Sequence, residues 1–99
     1  MRITKTAAAG TLESSDVLIT VEPASGGGIQ IDIEGATAAR FGKQIRSVVA
    51  GTLADFGVTD CQVRLQDKGA LDCTIRARLS AALLRAGDEG GSIDWEAFK

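Results

Sequence analysis

Two stretches of strict alternation stand in the first third of the chain. In Val17–Glu22 the residues Val17, Ile19 and Val21 share one face, with Leu18, Thr20 and Glu22 on the other. Ile29–Glu34 repeats the pattern with Ile29, Ile31 and Ile33 against Gln30, Asp32 and Glu34. Period-two alternation of β-branched residues predicts half-buried strands. Between them, Pro23-Ala24-Ser25-Gly26-Gly27 is a turn composition that tolerates positive φ. Closing that loop between Glu22 and Gly28 sets Val17, Ile19 and Val21 across from Ile33, Ile31 and Ile29, so the pattern predicts a hairpin.

The period then lengthens. Phe41, Ile45, Val48, Val49, Thr52, Leu53 and Phe56 follow the i, i+4, i+7, i+8 spacing of one helical stripe, while Arg40, Lys43, Arg46 and Asp55 lie off it. Thr37 is a suitable N-cap and Gly57 a suitable left-handed residue after the last turn. Gly42 and Gly51 each cost about 0.8–1 kcal/mol against alanine inside a helix, and burying the stripe at about 1.5–3 kcal/mol per large side chain outweighs them.

Alternation resumes at Cys61, Val63 and Leu65, and again at Leu71, Cys73, Ile75 and Ala77. Asp67-Lys68-Gly69, with glycine last, suits a three-residue hairpin loop. That register pairs Leu65 with Leu71, Val63 with Cys73 and Cys61 with Ile75, and sets Arg64 across from Asp72. A competing reading takes Ala70 to Ala86 as one long helix. In the hairpin reading, a short helix begins near Ala77 and carries Leu79, Ala82, Leu83 and Ala86 before Gly87. The expected architecture is α+β, a small single domain of order β-β-α-β-β-α: an antiparallel sheet of two hairpins with both helices on one face. The domain is expected over residues 1–87, followed by a flexible polar tail over 88–99 that holds Trp95 and Phe98.

Composition narrows the function classes. The chain's 99 residues suit one core, and 44% hydrophobic with 24% charged residues is ordinary for a globular domain. A net charge of −2 gives no cationic surface for a polyphosphate, so nucleic acid is not an expected partner. The N-terminal MRITKTAAAG has no continuous apolar run, which argues against a secretory signal or membrane span and makes the cytoplasm the default location.

The chain has no histidine and no tyrosine, which removes Ser-His and Cys-His nucleophile pairs and the commonest zinc ligand. No catalytic residue and no metal site are expected. Cys61 and Cys73 lack CxxC spacing, have no adjacent cation, and in the hairpin reading both point into the core. The glycines at 26–28 join two strands and open no helix, so they do not read as a phosphate cradle.

The remaining polar run is Gly10-Thr11-Leu12-Glu13-Ser14-Ser15-Asp16-Val17. By itself it reads as a turn before a strand. It also presents accessible hydroxyls on a fixed loop, which suits covalent modification by an enzyme that brings its own base.

AGTLESSDV at 9–17, FGKQIR at 41–46 and DKGALDCTIRARL at 67–79 resemble the acyl carrier protein, or gamma chain, of citrate lyase, and the resemblance spans nearly the whole chain. It implies a non-catalytic carrier bearing a 2'-(5''-phosphoribosyl)-3'-dephospho-coenzyme A arm, joined by a phosphodiester to the serine of an E-S-G-D stretch. Ser14 matches that serine, with Ser15 the alternative; Ser15 stands where the family pattern has glycine. The implied partners are an alpha chain that exchanges acetyl for citryl on the arm, a beta chain that cleaves the citryl thioester to oxaloacetate, and a synthase that attaches the arm. Tethering keeps the intermediate at high effective concentration near both active sites. Glu13 and Asp16 are expected to repel the anionic phosphodiester into solvent, subject to salt screening. The helical carriers of fatty-acid synthesis present Asp-Ser-Leu, which does not occur here. Two further readings are the carrier subunit of malonate decarboxylase and an unmodified adaptor between enzyme chains.

Overall fold

The computed structural model describes residues 1–88. The chain folds as β1 (Ala7–Gly10), β2 (Val17–Glu22), β3 (Ile29–Glu34), α1 (Ala38–Asp55), β4 (Cys61–Asp67) and α2 (Asp72–Ala86). The expected class holds: a small α+β domain in which two helices cover one face of a four-stranded sheet. The expected tail at 88–99 lies, apart from Asp88, outside the described residues.

The order and pairing of the strands differ from expectation. The sheet runs β1-β2-β4-β3, so neither predicted hairpin forms. β2 and β3 do not touch, because β4 lies between them, antiparallel to β2 and parallel to β3. Ile19 meets Leu65, which meets Ile33; Val21 meets Val63, which meets Ile31. The expected apolar faces hold for β2 and for Ile31 and Ile33 of β3, but Ile29, expected inward, is exposed at the start of β3, and the expected pairing does not form. The β3-α1-β4 segment is a parallel crossover, a non-local pairing that strand alternation alone does not distinguish from a hairpin. The loop at 23–28 therefore spans about two strand spacings, roughly 9–10 Å, rather than one.

The second predicted hairpin is replaced by the competing helix. β4 already has a neighbour on each edge, so a strand at 71–77 could not pair with it in a hairpin. Ile75, Leu79, Ala82, Leu83 and Ala86 instead form the buried stripe of α2, while Leu71, Cys73 and Ala77, whose alternation suggested a strand, are exposed. The expected pair of Arg64 and Asp72 is absent: Arg64 reaches Glu22 at 3.3 Å, and Gln44 donates to Asp72 at 2.8 Å. Cys73, expected in the core, is exposed on the first turn of α2. Cys61 is buried, and burial, aided by the neighbouring Asp60 charge, pushes its thiol up to about 11. Both are free cysteines.

The α1 stripe largely holds. Ile45, Val49, Thr52 and Leu53 are buried, whereas Phe41 at its start is exposed. Gly57 takes φ +68 as expected of a residue that ends a helix in the left-handed conformation. Thr37 occupies the N-cap position, but its hydroxyl donates to Asp67 at 2.7 Å instead of accepting from the first turn.

β1 is a strand that the pattern did not signal. Its Ala7-Ala8-Ala9 carries little hydrophobic contrast and poor β-propensity, yet it pairs antiparallel with β2, Ala9 opposite Ile19. β1 and β2 are thus the true hairpin of the fold, and the polar run at 11–16 is its loop. One carbonyl on each edge strand accepts from an arginine: Arg85 donates to Ala8 and Arg46 to Ile31, each at 2.7 Å.

Candidate functional site

The loop at 11–16 is exposed from Thr11 through Ser15 and closed at both ends. Gly10 ends β1 at φ +98, and a Cβ there would lie 1.8 Å from the Val17 carbonyl oxygen, so the chain crosses itself at a point only glycine allows. At the tip, the Asp16 N–H donates to the Glu13 carbonyl at 3.1 Å, closing a turn over Ser14 and Ser15. Ser15 has φ +66 and is the one non-glycine residue with positive φ among the described residues. Positive φ at the third position of a turn, and not at the second, is the type II pattern, which favours glycine there.

The base of the loop continues the central strand pair. Ser15 donates its N–H to the Lys68 carbonyl at 2.7 Å, and the Lys68 N–H returns to the Asp16 carbonyl at 2.9 Å. Ser14 behaves differently. The N–H groups of Glu13, Ser15 and Asp16 all have acceptors within the protein, while that of Ser14 has none among the described residues. Ser14 is the second residue of a turn whose other members are tied down.

Asp16 does most of the tying. The residue is only 9% exposed. Thr11 Oγ1 donates to Oδ2 at 2.7 Å, and the Val17 N–H donates to Oδ1 at 2.8 Å. Arg78 of α2 donates to both oxygens, at 3.1 and 3.0 Å, in a bidentate pair. The Thr11 hydroxyl, followed by Arg78 and the Val17 amide, holds the carboxyl down at about 2. The expectation that Asp16 would repel an anionic group is therefore corrected: its charge faces Arg78, and Glu13 is the exposed carboxylate of the loop.

Gly10, Thr11, Lys68 and Arg78 were not singled out from the sequence as parts of this site. Arg78 lies 62 residues from its carboxylate, and no local pattern connects them. The space around the loop is modest. A depression of about 220 Å³ is lined by Leu12, Glu34, Gly35, Gln66 and Lys68. A second, of about 200 Å³, lies between the start of α1 and the start of α2, with Phe41 on its wall. Both are smaller than the roughly 300–1,000 Å³ usual for pockets that enclose a free small-molecule ligand.

Comparisons with known proteins bear on this geometry. The family described as malonate decarboxylase delta subunit (MdcD) matches residues 4–86. Among curated relatives, the citrate lyase acyl carrier protein of Haemophilus influenzae is 50% identical over 98% of both chains. That of Haemophilus ducreyi is 52% identical over 97% of both, and that of Lacticaseibacillus casei 50% identical over 97% of this chain and 93% of its own. Among solved structures, a chain of a Pseudomonas malonate decarboxylase hetero-tetramer crystallised with malonate superposes with a TM-score of 0.59 at 20% identity, covering 88% of this chain and 93% of that one; the likeness is of fold. On sequence match across nearly its full length, the chain belongs to the citrate lyase acyl carrier protein family.

Proposed function

We propose that the chain is the acyl carrier subunit of citrate lyase and that Ser14 is the attachment point of a phosphoribosyl-dephospho-coenzyme A arm. The observation that carries the assignment is the backbone of Ser15. The resemblance places glycine after the modified serine, and residue 15 has φ +66, the conformation glycine adopts most readily. The E-S-G-D alignment therefore fits this turn residue for residue, with Ser14 at the exposed tip.

The surroundings fit a tethered group. Ser14 has an N–H without a partner among the described residues, and a base fixed to the sheet and to α2. The depression beside the loop, which Leu12 lines, is too small to enclose a coenzyme A-sized molecule, which suits a group held by a covalent bond. When bound, the arm supplies a terminal thiol on a long tether, on which acyl groups are carried as thioesters. The protein's contribution is to hold the root of that tether rigidly and in the open. Attachment breaks the Oγ–H bond of Ser14 and forms an Oγ–P bond; the synthase takes the proton, and the leaving group departs from the activated phosphate it supplies. No base on this chain is required. The buried thiol of Cys61, pushed up to about 11, could not substitute for the arm. The reading brings with it the alpha chain as acyl transferase, the beta chain as citryl lyase, and a cytoplasmic setting.

Intact mass spectrometry tests the assignment. Protein co-expressed with the synthase should gain the mass of the arm, and Ser14→Ala should not. Wild-type protein that keeps its bare mass under those conditions would overturn the carrier reading in favour of an unmodified adaptor. The second reading, carrier of a malonate decarboxylase, is favoured by the description of the matching family model. Co-purification with a citryl-cleaving beta chain separates the two.

A further inference from the structure

We infer that Asp16 is a positioning residue that selects Ser14 over Ser15 as the acceptor hydroxyl. The inference rests on the carrier reading and concerns how its site is chosen. The two serines have the same chemistry, are adjacent and are both exposed. Intrinsic nucleophilicity therefore cannot tell them apart, and the choice must lie in how the backbone presents them.

The backbone treats them differently. Ser15 is held in the left-handed region with its N–H on the Lys68 carbonyl, while Ser14 sits at the tip with its N–H free among the described residues. Serine does not favour that conformation, so an unbraced loop would relax by returning Ser15 to negative φ. Relaxation turns the peptide between the two residues and changes which hydroxyl is outermost.

The brace against that change is the Asp16 carboxylate. It joins the two ends of the loop, taking Thr11 at 2.7 Å while its own residue closes the turn on Glu13. Thr11 Oγ1 in turn accepts the Glu13 N–H at 3.2 Å, and Arg78 fixes the carboxylate to the middle of α2 with two bonds. Four donor atoms converge on two oxygens, which leaves the carboxylate little capacity to bind an ion or take the Ser14 proton. Its effect on attachment must therefore pass through the shape of the turn.

The test is peptide mapping of the modified serine in Asp16→Asn and Thr11→Val, each co-expressed with the synthase, with amide exchange of β4 reporting that the domain is folded. The attachment step is the same throughout: Oγ–H breaks and Oγ–P forms at the synthase's activated donor. Wild-type protein should carry the arm on Ser14. Asp16→Asn should lower the Ser14:Ser15 ratio by roughly tenfold or more, the order commanded by a charge-assisted bidentate contact. Thr11→Val, which removes one ligand of the carboxylate and is the milder change to the fold, should shift the ratio in the same direction by a smaller factor. A purely structural role would lower the melting temperature and leave the ratio alone, and an unchanged ratio in folded variants overturns the inference. Loss of the arm from both serines in a folded Asp16→Asn also overturns it, since Asp16 would then be a contact of the synthase. If wild-type protein takes no arm, the carrier reading itself falls.

Discussion

Strand β2 is flanked by two short polar loops, 11–16 before it and 23–28 after it, and they are built in opposite ways. The second is the one that looks like a binding loop, with glycine at 26, 27 and 28. Two bonds tie it down: the Gly28 N–H donates to Asp60 at 2.6 Å and the Gly28 carbonyl accepts from Cys61 at 3.0 Å. It uses glycine for reach across the end of β4. The first loop has one glycine, at its entrance, and a dense set of bonds to Asp16, Lys68 and Glu13. It uses those bonds to hold a serine still and exposed. Glycine content marks the freer loop; the loop that carries the proposed chemistry is marked by a non-glycine residue in a glycine conformation.

The largest expected difference comes from adding one methyl group at the entrance of the first loop. Gly10→Ala places Cβ 1.8 Å from a backbone oxygen at φ +98, and neither strand can move without unpairing β1 from β2. Loss of more than about 3 kcal/mol is expected, measured by urea unfolding. Near-wild-type stability would mean that the crossing at Gly10 is loose, and the contrast between the loops would be lost.

Acid should act on the first loop through Asp16. Its folded pKa, about 2, lies below the ordinary 3.8, so the stability it contributes is complete above 3.8 and is lost as pH falls toward 2. Asp60, which anchors the second loop, is also lowered, by the Gly28 N–H and then by the Thr59 hydroxyl. Thermal unfolding followed between pH 5 and pH 2 should show a decline that Asp16→Asn flattens more than Asp60→Asn does. The reverse order would make the second loop the more strongly clasped.

How much of this could be read from the chain differs between fold and site. The faces of β2, β3 and β4 were legible, because alternation records what is buried and not who the neighbour is. The pairing was not, because β4 joins β3 across the whole of α1 and enters the sheet between strands that are consecutive in sequence. The turn chemistry of Asp67-Lys68-Gly69 was real, since Gly69 has φ +90, but it leads into a helix: Asp67 accepts the Ala70 N–H at 3.0 Å, and α2 begins two residues later at Asp72. In the site, the resemblance implies Ser14, and the glycine-like backbone of residue 15 is legible only in the structure. Arg78 and Lys68 were illegible because their roles exist only after the sheet and α2 have assembled.

A moderate gain is expected from Ser15→Gly. It removes a left-handed serine, worth about 1–2 kcal/mol, and adds about 0.4–1 kcal/mol of chain entropy to the unfolded state. The net should be a stabilisation of about 0.5–1 kcal/mol with attachment at Ser14 retained. A destabilised Ser15→Gly would mean that the Ser15 side chain itself holds the turn.

The smallest effect belongs to the other loop. Gly26 lies outside the left-handed region, and a Cβ there meets nothing within 4 Å. Alanine at that position removes freedom from the unfolded chain and introduces no clash, so Gly26→Ala should change stability by no more than about +0.4–1 kcal/mol, in the favourable direction. Gly27 and Gly28, both at φ +77, hold the left-handed positions of the run, where a Cβ would be strained, and would not tolerate the change as well. Arm attachment should be unaffected by Gly26→Ala, since the second loop and Ser14 lie at opposite ends of β2 and β4. The same methyl group, added at position 10 or position 26, should then be ruinous at one end of a six-residue strand and mildly helpful at the other. A loss above about 1 kcal/mol at Gly26 would show that the second loop is held as closely as the first.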